Sequence, residues 1–225
     1  MVTYWQDNFD RADSTNSLGV ADSGGTYTTG AFTWGINSGQ AYTSVSATRA
    51  TATFAAAVDV DISFQVAATS NTAVSGVCLR WVDGSNFWIA GPYNGTWQVQ
   101  RFINGGASAA MLLSAIPGGY SAADTCRVVA VGPWIHLLVN GIHYGAIEDV
   151  HYSIATPTCG LYMQTQTVGR LDNLLVQSPT GVPGDGQLAA VPAQLPAASS
   201  MVPSYPITSF AYLGHDSHDA DLGAS

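Results

Sequence analysis

The sequence predicts an all-β protein: an antiparallel sandwich of two sheets, followed by an extended, proline-rich C-terminal arm. Short segments with an apolar residue at every second position recur through the first 177 residues, which is typical of strands with one buried face. No stretch shows sustained helical periodicity. Six of the ten prolines lie between residues 179 and 206, where the strand pattern has ended.

The predicted strands follow one another with turn residues between them. In chain order they read QAYTSV, ATATF, VDVDISFQVA, GVCLRWV, NFWIAG, TWQVQRF, AAMLLS, CRVVAV, WIHLLVN, IHYGAI, CGLYMQT and RLDNLLVQ. The pairs Asn94-Gly95 and Asn140-Gly141 allow the two positive φ angles of a tight hairpin, and Asp83-Gly84 predicts a third reversal. These turns predict an antiparallel meander through the middle of the chain.

The change of composition divides the chain into three regions. Residues 1–177 are expected to form the sandwich, 178–204 a linker rich in Pro and Ala, and 205–225 a docking arm. The arm is too short to fold alone, so we expect it to bind a neighbouring subunit, as an added strand. Its apolar residues are Tyr205, Ile207, Phe210, Tyr212 and Leu213.

The charge content is low. Charged residues make up 9% of the chain, the formal net charge is −9, and there is no Lys. A surface that follows nucleic-acid phosphates is therefore not expected, whereas β surfaces rich in Thr and Gly favour a subunit of an assembly, such as a homo-oligomer. No apolar run reaches the roughly 18 residues of a membrane span, and the N-terminus lacks the pattern of a signal peptide.

Three cysteines, Cys78, Cys126 and Cys159, lie within apolar segments. An odd number cannot pair completely within one chain, and a thiol in such a segment behaves as a small apolar side chain. The sequence predicts that all three are buried free thiols.

Four motifs, in order, resemble the concanavalin A-like, LamG-like jelly-roll domains found in actinobacterial secreted proteins and in minor tail proteins of actinobacteriophages. The motifs are DNFDRADSTNSLG with FTWGINSGQAYT, GVCLRWVDGSNFWIAG, VVAVGPWIHLLVNGIHYGAIED, and CGLYMQTQTVGRLDNLLVQ. The resemblance spans residues 7–177 and departs at Leu171, where the family has an aromatic residue. It implies a concanavalin-like jelly roll, a fold that serves lectins, glycosidases and scaffold domains alike.

Hydrolytic chemistry is not expected. The glucanases of this fold carry a Glu-x-Asp-x-x-Glu pattern, and Glu148 is the only glutamate of this chain. Asp59 and Asp61 lie on one face of a predicted strand, but a solvated strand face explains them better. The sequence contains no Gly-x-Ser-x-Gly motif. We therefore expect a protein that is not an enzyme.

Two groups of residues have metal-ligand chemistry. Asp7, Asp10 and Asp13 offer the oxygen ligands that Ca²⁺ prefers, although turn and capping roles explain them equally well. His215 and His218 could bind a transition metal, but a solubilising role is the simpler interpretation. No cofactor is therefore expected, although the three aspartates could bind calcium.

A carbohydrate site is predicted around one hairpin. Sugars stack on exposed aromatic rings beside polar groups, and SNFWIAGPYNGTWQVQR concentrates such residues. The candidates are Trp88, Tyr93, Trp97 and Arg101. Because neighbouring strand residues point to opposite faces, some of these rings are expected to pack the interior instead.

The leading functional hypothesis is a structural protein of a phage virion, in the tail or on the capsid surface. The resemblance, the low charge and the proline-rich arm suggest it. Its partners would be other virion proteins, and it would be made in the host cytoplasm without a signal peptide. The alternative is a carbohydrate-binding module that attaches to host surface glycans.

Overall fold

The computed structural model describes residues 1–30, 32–43, 49–69, 74–93, 96–114, 120–122, 124–151, 157–164 and 168–180, with the backbone alone for 107–114. The strands are β1 (Thr3–Asp7), β2 (Thr28–Thr29), β3 (Trp34–Asn37), β4 (Gln40–Thr43), β5 (Ala50–Ala55), β6 (Val60–Ala68), β7 (Ser75–Asp83), β8 (Asn86–Tyr93), β9 (Thr96–Ile103), β10 (Gly106–Ser114), β11 (Thr125–Val131), β12 (Trp134–Val139), β13 (Ile142–Glu148), β14 (Thr158–Met163) and β15 (Arg170–Gln177). Within these ranges no helix is long and apolar enough to cross a membrane.

The strands form two antiparallel sheets. The order in the first sheet is β13-β12-β11-β6-β15-β4-β3, and β1 also pairs with β15. The order in the second sheet is β10-β9-β8-β7-β14-β5-β2. The predicted all-β, two-sheet antiparallel sandwich is therefore confirmed.

A single apolar core fills the space between the sheets. Its large side chains come from both layers: Trp34 and Phe64 from the first sheet, and Trp88 and Trp97 from the second. Phe64 meets Trp97 edge to face, with ring centroids 6.4 Å apart. Burying such rings removes a large apolar area from water and is the main stabilising contribution that this core makes.

A second apolar cluster lies on the other face of the second sheet. Residues of β8 alternate between the two clusters: Trp88 and Ala90 belong to the core, whereas Phe87 and Ile89 pack with Phe102 in the second cluster. Phe87 stacks on Phe102 with a centroid separation of 4.9 Å. The alternation follows from the opposite directions of successive side chains in a strand.

The hairpins occur at the positions where the turn residues predict them. Asn140 and Gly141 have φ angles of 52° and 79° between β12 and β13, as a tight hairpin requires. Asp83 pairs with Asn86 around the turn between β7 and β8. Asn94 and Gly95 lie outside the described residues, but β8 and β9 pair directly on either side of them. A further Asn-Gly pair, Asn104-Gly105, turns the chain between β9 and β10 with φ angles of 49° and 78°.

The predicted thiols are confirmed, because Cys78, Cys126 and Cys159 are free and buried. Burial raises the pKa of Cys159 to about 12, so this thiol stays protonated and unreactive at neutral pH.

One expectation was wrong: Asp61 does not lie on a solvated strand face but is 1% exposed. Arg127 donates to both of its carboxylate oxygens, and this ion pair is the physical reason that the charge can be buried.

The described part of the chain belongs to one compact unit, Met1–Val182. Its last residues remain attached to the sheet, since Ser178 N donates to Val2 O and Arg127 donates to Thr180 O. The greater part of the predicted linker and all of the arm, with Tyr205, Ile207, Phe210, Tyr212 and Leu213, lie outside the described residues. The proposed docking of the arm therefore stays a prediction.

Candidate functional site

A polar cleft of about 440 Å³ lies at the β3–β4 edge of the first sheet. Seven residues line this cleft, which we name the Tyr42 cleft: Asp13, Ser14, Thr15, Asn16, Ile36, Asn37 and Tyr42. The N-terminal segment 13–16 forms one wall. It is fastened to β3 by two backbone hydrogen bonds between Ser14 and Ile36, of 2.9 and 2.8 Å.

Small residues and a tight turn allow this wall to approach the sheet. A Cβ atom at Gly35 would lie 2.1 Å from the carbonyl oxygen of Ser14 and 2.8 Å from the Tyr42 ring, so no larger residue fits there. At the end of β3, Ser38 and Gly39 adopt positive φ angles of 53° and 72°. Asp13 accepts a hydrogen bond of 2.8 Å from Ser38 N, which ties the wall to this turn.

The Tyr42 ring is held from one side by an arginine. The Arg170 guanidinium carbon lies 4.7 Å from the ring centroid, a cation–π contact. Tyr42 is half-buried, and its strand neighbours Ala41 and Thr43 are fully buried, so alternation directs the ring out of the core. Among the described residues, none is hydrogen-bonded to the Tyr42 hydroxyl or to the side chains of Thr15 and Asn37.

The cleft therefore combines an aromatic ring with a carboxylate, amides and hydroxyls. Asp13 supplies acceptors, while Asn16 and Asn37 supply amide groups that can both donate and accept. Such a mixture suits a neutral ligand with many hydroxyl groups and at least one apolar face. A volume of about 440 Å³ lies within the range of roughly 300–1,000 Å³ that small-molecule sites occupy.

The aromatic site predicted from the sequence is corrected by the structure. Trp88 and Trp97 are 0% exposed in the core, so neither ring can stack on a sugar. Arg101 is 9% exposed and lies with its guanidinium carbon 5.6 Å from the Trp88 ring centroid, inside the sandwich. Of the three rings predicted to stack on a sugar, only that of Tyr93 is accessible, with 41% exposure. The space between two sheets requires large side chains, and the tryptophans fill it.

The structure does not gather Asp7, Asp10 and Asp13, the aspartates considered as calcium ligands, into one site. No three acidic, His or Cys side chains among the described residues gather as metal ligands, and the three aspartates have separate hydrogen-bond partners. Asp10 accepts from the Asn8 amide at 3.3 Å, and Asp13 from the backbone of Ser38. The sequence shows the spacing of these residues but not the direction of each carboxylate.

Asp7 is instead the buried centre of a hydrogen-bond network. Arg11 binds it in a bidentate pair with N···O distances of 2.9 and 2.5 Å, and the Tyr27 hydroxyl donates to it at 2.9 Å. Trp5 in turn donates from Nε1 to the Tyr27 hydroxyl. Burial, and then the Asp7 carboxylate, raise the pKa of Tyr27 above its usual range, so its hydroxyl remains a donor. This network fastens the N-terminal segment that leads to the cleft.

The two aspartates considered for catalysis also have structural roles. Asp61 is held by Arg127, and Asp59 accepts a hydrogen bond of 2.9 Å from Gly132 N. Neither of them lines the Tyr42 cleft. Their interactions tie β6 to β11 and to the turn after it.

The sequence contained a weak signal for the Tyr42 cleft. In QAYT, Tyr42 lies two residues after the polar Gln40 and so on the same face of the strand. This indicates an exposed aromatic residue beside the Ser38-Gly39 turn. The opposite wall had no such signal. Residues 13–16 are far from Tyr42 in sequence, and only the pairing of Ser14 with Ile36 brings them together.

Solved structures share this architecture. The carbohydrate-binding module CBM66 from Bacillus subtilis matches with a TM-score of 0.56 and 15% identity, over 68% of this chain and 95% of the module. Domain 4 of AbnA, an extracellular arabinanase from Geobacillus stearothermophilus solved with arabinotriose, matches with a TM-score of 0.53 and 9% identity, over 81% of this chain and 95% of that domain.

The chain has a jelly-roll sandwich fold. The binding domain of botulinum neurotoxin serotype D has a similar one, with a TM-score of 0.53, 10% identity and coverage of 81% of this chain and 49% of that chain. No model of a known protein family matches the sequence, and neither does any curated protein. At these identities the likeness concerns the fold, which hosts many functions.

Proposed function

We propose that this chain is a carbohydrate-binding domain without catalytic activity, and that the Tyr42 cleft is its sugar site. The observation that carries the proposal is the juxtaposition of Tyr42 with Asp13, Asn16 and Asn37 in one cleft. The fold adds support, since the structural neighbours include a carbohydrate-binding module and a domain solved with arabinotriose. The carbohydrate-binding hypothesis thus has more support than the hypothesis of a virion structural protein.

The chemistry of the cleft matches that of a sugar. A pyranose or furanose ring has C–H groups that pack against an aromatic ring, and hydroxyls that exchange hydrogen bonds with amides and carboxylates. Arg170 holds one side of Tyr42, so the ring is oriented before a ligand arrives, which lowers the ordering cost of binding. The predominance of polar groups in the lining favours a neutral saccharide over an apolar ligand.

Substitution of Tyr42 by Ala tests this site. A glycan array first identifies a ligand for the full-length protein, and calorimetry then measures its affinity. We expect Tyr42→Ala to weaken binding by about tenfold or more, which corresponds to about 1.4 kcal/mol, and Asn37→Ala to weaken it less. The matched control is Tyr93→Ala, which removes an exposed ring on the second sheet.

Three outcomes would contradict the proposal. They are absence of binding across the array, full binding by Tyr42→Ala, and a loss of binding that follows Tyr93→Ala instead. Incubating the wild-type protein with its ligand tests the absence of catalysis, because a hydrolase would release new reducing ends.

The virion role, the homo-oligomer and the location in a virion stay predictions, since none of the described residues bears on them.

A further inference from the structure

Two histidines lie side by side near the β12–β13 edge of the first sheet, away from the Tyr42 cleft. His136 Nδ1 and His143 Nε2 are 3.2 Å apart, and the ring centroids are separated by 5.3 Å. Ile135 and Leu137 belong to the core, so His136, which lies between them, faces the other side of the sheet. Both histidine side chains are half-buried.

The strand register explains why the rings meet. His143 pairs with Leu138 and His136 pairs with Ala146, so the two histidines are diagonal neighbours on one face. The register shifts between Leu137 and Leu138, opposite Gly145, whose φ angle is 150°. An irregularity of this kind twists the strand and redirects side chains, and the two rings lie beside it.

We propose that His136 and His143 form a binding site for a divalent transition-metal ion. Two nitrogen ligands at about 2.0–2.1 Å from one metal lie roughly 2.9–3.4 Å apart when they occupy adjacent coordination positions. The observed 3.2 Å between the two nitrogens falls in this range. The pair is therefore spaced for chelation with little movement of either strand.

The donor set indicates which ions bind. Imidazole nitrogen suits Cu²⁺, Ni²⁺ and Zn²⁺ rather than Ca²⁺ or Mg²⁺, and Cu²⁺ is expected to bind most tightly of the three. His136 Nδ1 and His143 Nε2 each present a lone pair when the proton of each ring is on its other nitrogen. No third His, Cys, Asp or Glu of the described residues joins them.

The same distance also fits a hydrogen bond between the two imidazoles, and metal titration distinguishes the two cases. The parent protein is the full chain with His215→Ala and His218→Ala, which removes the two histidines of the C-terminal arm. Calorimetric titration with Cu²⁺, Ni²⁺ and Zn²⁺ should show one ion bound per chain. Affinity should fall as the pH is lowered from 7.5 to 5.5, because a ligating imidazole must be neutral.

Variants assign the site. We expect His136→Ala and His143→Ala each to weaken binding by at least about tenfold, since losing even a residue that only orients a ligand costs about 10–100-fold. His151→Ala is the matched control and should bind like the parent. His143→Asn repeats the test with a polar side chain should the alanine variant misfold. Absence of metal binding, or binding that survives the loss of His143, would overturn the proposal.

Discussion

At the scale of single residues, Arg80 and Asp149 form an ion pair that is completely buried in the sandwich. Both side chains are 0% exposed, and the guanidinium is 2.9 Å from the carboxylate. Arg80 also donates to the carbonyl of Gly132, and it adopts a positive φ of 49° in β7. The pair joins the second sheet to the ends of β11 and β13, which belong to the first sheet. Its two charges are tolerable only together.

Breaking this pair should destabilise the protein strongly. We expect Arg80→Met or Asp149→Asn to lower the free energy of unfolding by about 3–5 kcal/mol, because each leaves a buried group without its partner. Urea denaturation measures the change. The double variant should lose clearly less than the sum of the two single losses, and strict additivity would show that the two residues do not act as a pair.

At the scale of elements, the close approach of β7 and β8 depends on glycine. A Cβ atom at Gly76 would lie 1.9 Å from the carbonyl oxygen of Ala90, and one at Gly91 would lie 2.4 Å from that of Ser75. Both contacts are with backbone, which cannot move without breaking the ladder. These two glycines therefore bring together two central strands of the second sheet.

Replacing Gly76 by Ala should disrupt this pairing. The clash requires the strands to separate, and we expect a loss of at least about 1–3 kcal/mol, the usual cost of overpacking. Thermal unfolding followed by circular dichroism measures it. Gly84, where an added Cβ meets nothing within 4 Å, provides the control. Gly84→Ala should change stability by less than about 0.5 kcal/mol; equal effects at both positions would refute the role of the close approach.

At the scale of the whole molecule, the sandwich and the C-terminal arm are expected to act separately. The described sandwich contains the Tyr42 cleft, the histidine pair and the core. The linker and arm together contain six of the ten prolines, and the arm contains a short apolar segment. A cut after Thr180 preserves the bonds that Ser178 and Thr180 make with the sheet.

Truncation to residues 1–180 should leave a folded monomer that retains sugar binding, whereas the full chain should form a defined oligomer. The arm would then be an assembly element, as its apolar residues suggest. Light scattering of both proteins gives their masses. If the truncated and the full-length protein are both monomers, the arm does not drive self-assembly. If both form the same oligomer, the interface lies on the sandwich.

The sequence by itself determined the all-β class, the three hairpin turns and the buried thiols. Each of these follows from local rules: alternation of apolar residues, positive φ at Asn-Gly pairs, and cysteine within an apolar run. The same alternation indicated that some of the aromatic rings around the β8–β9 hairpin pack the interior. A hairpin at Asn104-Gly105 was equally readable from the sequence.

Only the tertiary structure decided which residues meet. Alternation separates the two faces of a strand, but it does not say which face is covered, so Trp88 and Trp97 were assigned to a surface that the other sheet buries. The charge on Asp7 is buried because Arg11 and Tyr27 surround it, and the wall of the Tyr42 cleft exists because Ser14 pairs with Ile36. Such contacts depend on the packing of the sheets and on pairing between distant segments, and no local pattern encodes them.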